Sequence, residues 1–271
     1  MTVRQTVPSD MEQIGLVARY EIEKSLQSRA FIGIMGLMMA VIALMTLIRP
    51  LLGISFSDDP ITFVQDYLNW IEILVLIGAV AFASGALSSE FEKRTGLLMF
   101  PQPVKRTTYL AGKFLSSIII LAGALGMYYV IVCLLSLMIT GGIPAAILLS
   151  YGFALLYATA VCAVAFLLSS ILKTSTASIV ATVLIFLMVM NIIEQLLIMS
   201  SIDPAFLISN VAGAISYSLQ SPYPSTYTGV DFRGQPSTVF IPTEAGSVLV
   251  MIGYIAVSMV IAAIMFKRRE L

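Results

Sequence analysis

Ser88-Ser-Glu-Phe-Glu-Lys-Arg-Thr-Gly-Leu-Leu-Met-Phe-Pro-Gln-Pro-Val-Lys-Arg-Thr-Thr-Tyr-Leu-Ala-Gly-Lys113 is a charged, proline-interrupted island between two long apolar stretches. Of the 271 residues of the chain, 59% are apolar and only 11% are charged, and the mean hydropathy is +0.97. Soluble domains carry roughly a quarter charged residues, so this composition is that of a membrane protein. In such a chain, a cluster of charges with two prolines marks a place where the polypeptide leaves the bilayer and meets water or a partner.

Working outward from the island, a span needs about 20 predominantly apolar residues. Six segments qualify: about 31–48, 68–88, 114–140, 145–171, 176–199 and 246–266. The island, 89–109, therefore joins the second span to the third. Gly141-Gly-Ile-Pro144 turns the chain between the third and fourth, and Lys173 sits in the next turn. The expected fold is an all-α integral membrane protein, with residues 1–271 forming a single transmembrane domain. Residues 1–30 are mixed polar and charged and read as lacking a cleavable signal. No internal repeat is evident.

Net charge is zero, but the charges are segregated. Every Lys and Arg except Arg49 and Arg233 falls on one side of the six spans, whereas Asp58, Asp59, Asp66, Asp203, Asp231 and Glu244 fall on the other. By the positive-inside rule both termini and the island are expected in the cytoplasm of a multi-pass cell-membrane protein. Before the first span, Met11 to Arg29 has Ile14, Val17, Ala18, Ile22 and Leu26 at helical intervals among charged residues. That is the pattern of an amphipathic interfacial helix or of a plain juxtamembrane anchor. The longest connection, 200–245, begins with a segment too short and polar to cross. There Asp203 and Pro204 suit the start of a surface or re-entrant helix. Its second half is rich in turn residues and is expected to be irregular.

Histidine is absent, which excludes an H-E-x-x-H zinc site, a Ser–His hydrolase and haem ligation by histidine. Cys133 and Cys162 lie in apolar runs and read as small buried hydrophobes. Within the island, Ser88 or Ser89 can cap a short helix with Glu90 and Glu92 in its first turn and Lys93 and Arg94 after them, the sign order the helix dipole favours. Leu97, Leu98, Met99 and Phe100 offer an apolar knob, Pro101 and Pro103 end the helix, and a new one starts near Thr107. A solvated loop would keep the charges but would not need the knob.

The island resembles the signature of ABC-2-type permeases, the membrane subunits of a class of ATP-driven exporters. The matching positions are Glu90 and Glu92, Thr95-Gly96-Leu97-Leu98, Pro103-Val104-Lys105-Arg106 and Leu110-Ala111-Gly112-Lys113. Ala18 to Arg29 resembles the interfacial elbow helix of that family, and Leu168 to Ser175 its turn after the fourth span. Two departures stand out. The usual Gly-Thr order is reversed at Thr95-Gly96, and an acidic residue expected just after it is missing. The resemblance implies that Glu90, Glu92, Lys93, Arg94, Thr95, Gly96, Leu97, Leu98, Met99, Pro103 and Arg106 form a coupling helix seated on a separate ATP-binding subunit. It further implies two copies of that subunit, a second copy of this permease, and no nucleic acid. ATP and Mg would belong to the partner, with no cofactor or metal in this chain. Consistently, Gly112-Lys113 is followed by Phe114 and lacks the phosphate-loop pattern.

Ionisable groups inside a bilayer cost roughly 2.5–3.5 kcal/mol each on insertion scales. Asn191, Glu194 and Gln195 share one face of the fifth span, which suits a translocation path or outer gate. Alternatively, Glu194 snorkels to the interface. Asn69, Trp70 and Glu72 read as marking the outer interface at the start of the second span, whose Gly78, Ala79, Ala81, Ala83, Ser84, Gly85 and Ala86 allow close helix packing. The leading function is ATP-driven export of an apolar or amphiphilic solute by a non-catalytic permease. An ion-driven transporter or channel, or an ABC membrane subunit doing mechanical work on an envelope partner, are the alternatives.

Overall fold

The computed structural model describes residues 9–88, 105–230 and 236–268. Helix α1 (Asp10–Leu26) starts at Ser9, whose hydroxyl accepts the Glu12 amide while the Glu12 carboxylate accepts the Ser9 amide. It stops short of Arg29 because Ser28 caps the next helix, α2 (Arg29–Leu51), by accepting the Phe31 amide. α2 is the first of six helical runs long and apolar enough to cross a membrane.

The second run, Pro60–Ser84, is a composite. α3 (Pro60–Leu68) is capped by Asp59, which accepts the backbone amide and the hydroxyl of Thr62. Those bonds hold its carboxyl below the ordinary value. After a break at Asn69 and Trp70 comes α4 (Ile71–Ala79), then a wide π-turn at Val80–Ser84. The helix thus begins well before the uniform apolar window at 68. Phe63, Val64, Tyr67 and Leu68 bury a face of α3, and the intervening Gln65 and Asp66 conceal that face from a simple hydropathy reading.

α5 (Arg106–Thr140) has 35 residues, a length of about 50 Å against about 30 Å of hydrocarbon. It ends at Gly141, whose φ of 75° is the left-handed conformation glycine adopts freely. α6 (Ile147–Ile171) follows. The fifth run comprises α7 (Ser175–Leu184), a second π-turn at Ile185–Val189 and α8 (Met190–Met199). The last is α11 (Glu244–Arg268), reached through α9 (Ile208–Ala212), α10 (Ala214–Tyr217) and a β-hairpin of β1 (Tyr227–Val230) and β2 (Pro236–Val239).

The 200–245 connection carries short helices in its first half, as expected, but they start later than expected, and its second half departs from expectation. Asp203 does not cap a helix at Pro204. It accepts the Ala205 amide at 2.9 Å, closing a local turn, and the helix waits until Ile208. The half expected to be irregular pairs antiparallel instead, Tyr227 opposite Val239. β-branched Thr and Val residues at 226–230 and 238–239 favour strands, and the turn-forming residues cluster between them.

The second and fourth runs are the most buried; the first, fifth and sixth show most of their surface to the surroundings. The fourth carries buried Ala154, Ala158, Ala160, Ala163 and Ala165, small residues that let the sixth run lie close along it. α1 lies along the start of α5, and Arg106 reaches carbonyls near the end of α11. The first helix, the start of the third run and the end of the sixth therefore share one end of the bundle, the basic end. α9 and α10 cap the opposite end. Their Ile208, Val211, Ala214 and Ile215 are buried, Ser150 donates to the Ile215 carbonyl at 2.7 Å, and Gln65 donates to that of Ser216 at 3.0 Å.

Candidate functional site

Glu90, Glu92, Lys93, Arg94, Thr95, Gly96, Leu97, Leu98, Met99 and Pro103 lie outside the described residues. What the structure describes is how the chain is held on either side of them. Before the segment, the amides of Leu87 and Ser88 both donate to the Ser169 hydroxyl at 3.0 Å, tying the end of the second run to the fourth. After it, Lys105 pairs with Asp10 at 2.6 Å. Arg106 donates to the carbonyls of Phe266 and Lys267 at 3.4 and 3.3 Å. Those carbonyls lie in the last turn of α11 (Glu244–Arg268), the end of the helix where a guanidinium is favoured by the dipole.

A charged attachment, Lys113, is also buried, only 4% exposed. Its ammonium donates to the Ala86 carbonyl at 3.0 Å, stands 3.4 Å from the Glu21 carboxylate and sits 5.1 Å from the Tyr109 ring centre. One side chain thus joins α1, the end of the second run and the start of the third. Gly112 makes this possible, because a Cβ there would stand 2.7 Å from Cβ of Val17 and 3.1 Å from the Ile14 carbonyl oxygen. The Leu-Ala-Gly-Lys string was readable in the sequence. Its partner Glu21 was not, since nothing in spacing links positions 21 and 113.

At the capped end, Asn191 and Gln195 are exposed and Glu194 is half-buried. The Asn191 amide donates to the carbonyls of Phe186 and Leu187 at 3.0 and 3.2 Å. A π-turn leaves carbonyls without their regular partners, so this amide serves the turn rather than reaching across to Glu194. A matching device stands in the other π-turn: Ser117 donates to the Phe82 carbonyl at 3.0 Å, and Ser178 to the Ser84 carbonyl.

Glu72, read from sequence as an interface marker, is well inside the helical run that begins at Pro60 and is half-buried. Its carboxylate lies within electrostatic range of Glu194, and both act on Tyr157 and on Tyr217 of α10. Burial first, then Tyr227, Glu72 and Glu194, raise the Tyr217 hydroxyl above its ordinary value. Among the described residues neither glutamate has a hydrogen bond or ion pair. Glu194 of the fifth run thus acts electrostatically on an acid of the second run, a link between positions far apart in the chain that the sequence could not reveal. No group of three or more His, Cys, Asp or Glu among the described residues is placed to hold a metal ion.

These features can be set beside known proteins. No curated protein matches the chain at a significant level. The family model described as ABC-2 family transporter protein matches residues 16–271. That match runs from within α1, through the clamped segment and the capped end, to the last residue of the sequence. A bundle of six long apolar helices matched over nearly its whole length is a multi-pass membrane protein of the ABC-2 transporter family, the permease components of ABC transporters.

Proposed function

We propose that this chain is the permease subunit through which a separate ATP-binding subunit drives export of an apolar or amphiphilic solute. Two copies of the permease would enclose the path, each offering its 89–109 segment to one of two ATPases. The basic end would face the cytoplasm, as the distribution of Lys and Arg favours. Asn191, Glu194 and Gln195 would line the path or its outer gate. The chain itself would perform no hydrolysis, ATP and Mg being held by the partner.

The observation that carries this reading is the attachment of both flanks of the 89–104 segment to the bundle. A solvated loop needs no such fixing. A segment pushed by a partner does, because displacement reaches the helices only through rigid joints. Ser169 on the entering side, and Arg106 and Lys113 on the leaving side, provide those joints.

The test is co-purification. Substituting both Leu98→Asp and Met99→Asp puts charge into an apolar contact and is expected to detach the ATPase while the permease still inserts. Unchanged recovery of the ATPase with the double variant would make the segment a solvated loop.

A further inference from the structure

At the basic end, a cleft of about 270 Å³ opens between α1, the end of the second run and the start of the third, many times the ~30 Å³ that one water takes up. Lys24, Ser25, Ser28, Ala86, Lys113 and Ser175 are among the residues around it. All stand where a span meets water. Lys24, Ser25 and Ser28 precede the first run, Ala86 follows the second, and Ser175 opens the fifth. Lys113 comes just before the uniform apolar stretch of the third. A cleft at that level faces lipid headgroups rather than the middle of the bilayer. Its charged side chains are Glu21, Lys24 and Lys113, which leave one positive charge in excess. The acid is shared, standing 3.5 Å from Lys24 and 3.4 Å from Lys113. Lys113 is held from its other side by the Ala86 carbonyl, whereas the Lys24 side chain is 58% exposed and bonds no other described residue. Ala30, also on the cleft, lies in the first turn of α2, where amides have no acceptor within the helix. Ala81 and Phe82 give the cleft an apolar wall.

We propose that this cleft binds the phosphate of an anionic glycerophospholipid, with Lys24 as its principal counter-charge, and that the bound lipid ties α1 to the second and fifth runs. Basic pockets between spans at the headgroup level suit acidic headgroups. The apolar wall suits the first carbons of the acyl chains, which a free phosphate lacks. A zwitterionic lipid fits less well. Its ammonium would meet two lysines, and the acid of the cleft, Glu21, is already divided between them.

The test follows the melting temperature of the full chain in maltoside micelles as phosphatidylglycerol, phosphatidylcholine or inorganic phosphate is added. The expected result is a saturable rise with phosphatidylglycerol alone. Lys24→Gln should raise the half-saturating fraction of phosphatidylglycerol roughly fivefold. Arg19→Gln removes the same charge from the same helix but outside the cleft, and should leave that fraction unchanged. The wild type gives a second readout that needs no variant to fold. Washed in detergent after loading with equal amounts of both lipids, it should retain phosphatidylglycerol in preference to phosphatidylcholine. An equal rise with phosphatidylcholine would remove the anionic class, and an equal rise with inorganic phosphate would remove the lipid. No rise at all, no change with Lys24→Gln, the same change with Arg19→Gln, or equal retention of the two lipids would each overturn the proposal.

Discussion

The two ends of this bundle use charge in opposite ways. At the basic end, oppositely charged groups are brought together: Asp10 with Lys105, Glu21 with Lys24 and Lys113, Arg19 with Glu23. The buried member, Lys113, binds three segments of chain at once. At the capped end, Arg49 and Asp66 form one such pair, whereas Glu72 and Glu194 make no ion pair among the described residues. Charge at the first end joins helices. At the second, two acidic side chains stay without an ion pair among the described residues. The contrast separates a region fastened by several ion pairs from a region that uses only one among the described residues.

The largest expected effect tests the holding end. Lys113→Met leaves the Ala86 carbonyl without its donor and the Glu21 carboxylate with Lys24 alone, and breaking a buried pair from one side costs up to about 3–5 kcal/mol. A steep fall in thermal stability in detergent is expected, with much of it restored by adding Glu21→Gln. A single variant as stable as wild type would mean that the ammonium is not the joint described here.

A smaller loss is expected from Gly112→Ala, because its Cβ would press on Val17 and on the backbone of Ile14. Overpacking of that kind costs about 1–3 kcal/mol. Gly123→Ala on the same helix is the control. No atom lies within 4 Å of a Cβ there, so replacement should be neutral or slightly stabilising. Equal melting temperatures for the two variants would remove the close approach of α1 as a determinant of this end.

The smallest effect belongs to the capped end. Tyr223 donates to the Pro242 carbonyl at 2.9 Å, and burial, then Glu244 and Tyr217, push its hydroxyl from 10.0 up to about 12. A raised folded value means that the unfolded chain loses this proton first. The contribution is therefore fully present below about pH 10 and is lost as pH rises towards 12. Tyr223→Phe should flatten that part of the stability curve relative to wild type, as read from melting temperature against pH. Superimposable curves would show that the cap does not depend on this hydroxyl.

Much of the architecture was legible before any coordinates. Six apolar runs, the glycine turn at 141 and the concentration of Lys and Arg at one end follow from local composition, and composition survives in one dimension. The misjudged elements were those whose local signal was mixed. α3 alternates a buried apolar face with Gln65 and Asp66, so its start at Pro60 was hidden. The strands of the hairpin lie among turn residues that suggested irregular chain. The Asp203 carboxylate closes its own turn instead of capping a helix, a choice decided by which nearby amide it meets.

The amino-acid sequence by itself determined the membrane class, the number of long helices and the segregation of charge. Each of these depends on which residues are near one another in the chain. Only the tertiary structure decided that Lys113 meets Glu21, that Ser169 receives the amides of Leu87 and Ser88, and that Ser150 of the fourth run reaches the Ile215 carbonyl of α10. Those pairings join positions far apart in sequence. Long-range contacts between helices are fixed by how whole helical surfaces fit, with glycine and alanine setting the distance of approach, and no local pattern encodes that fit.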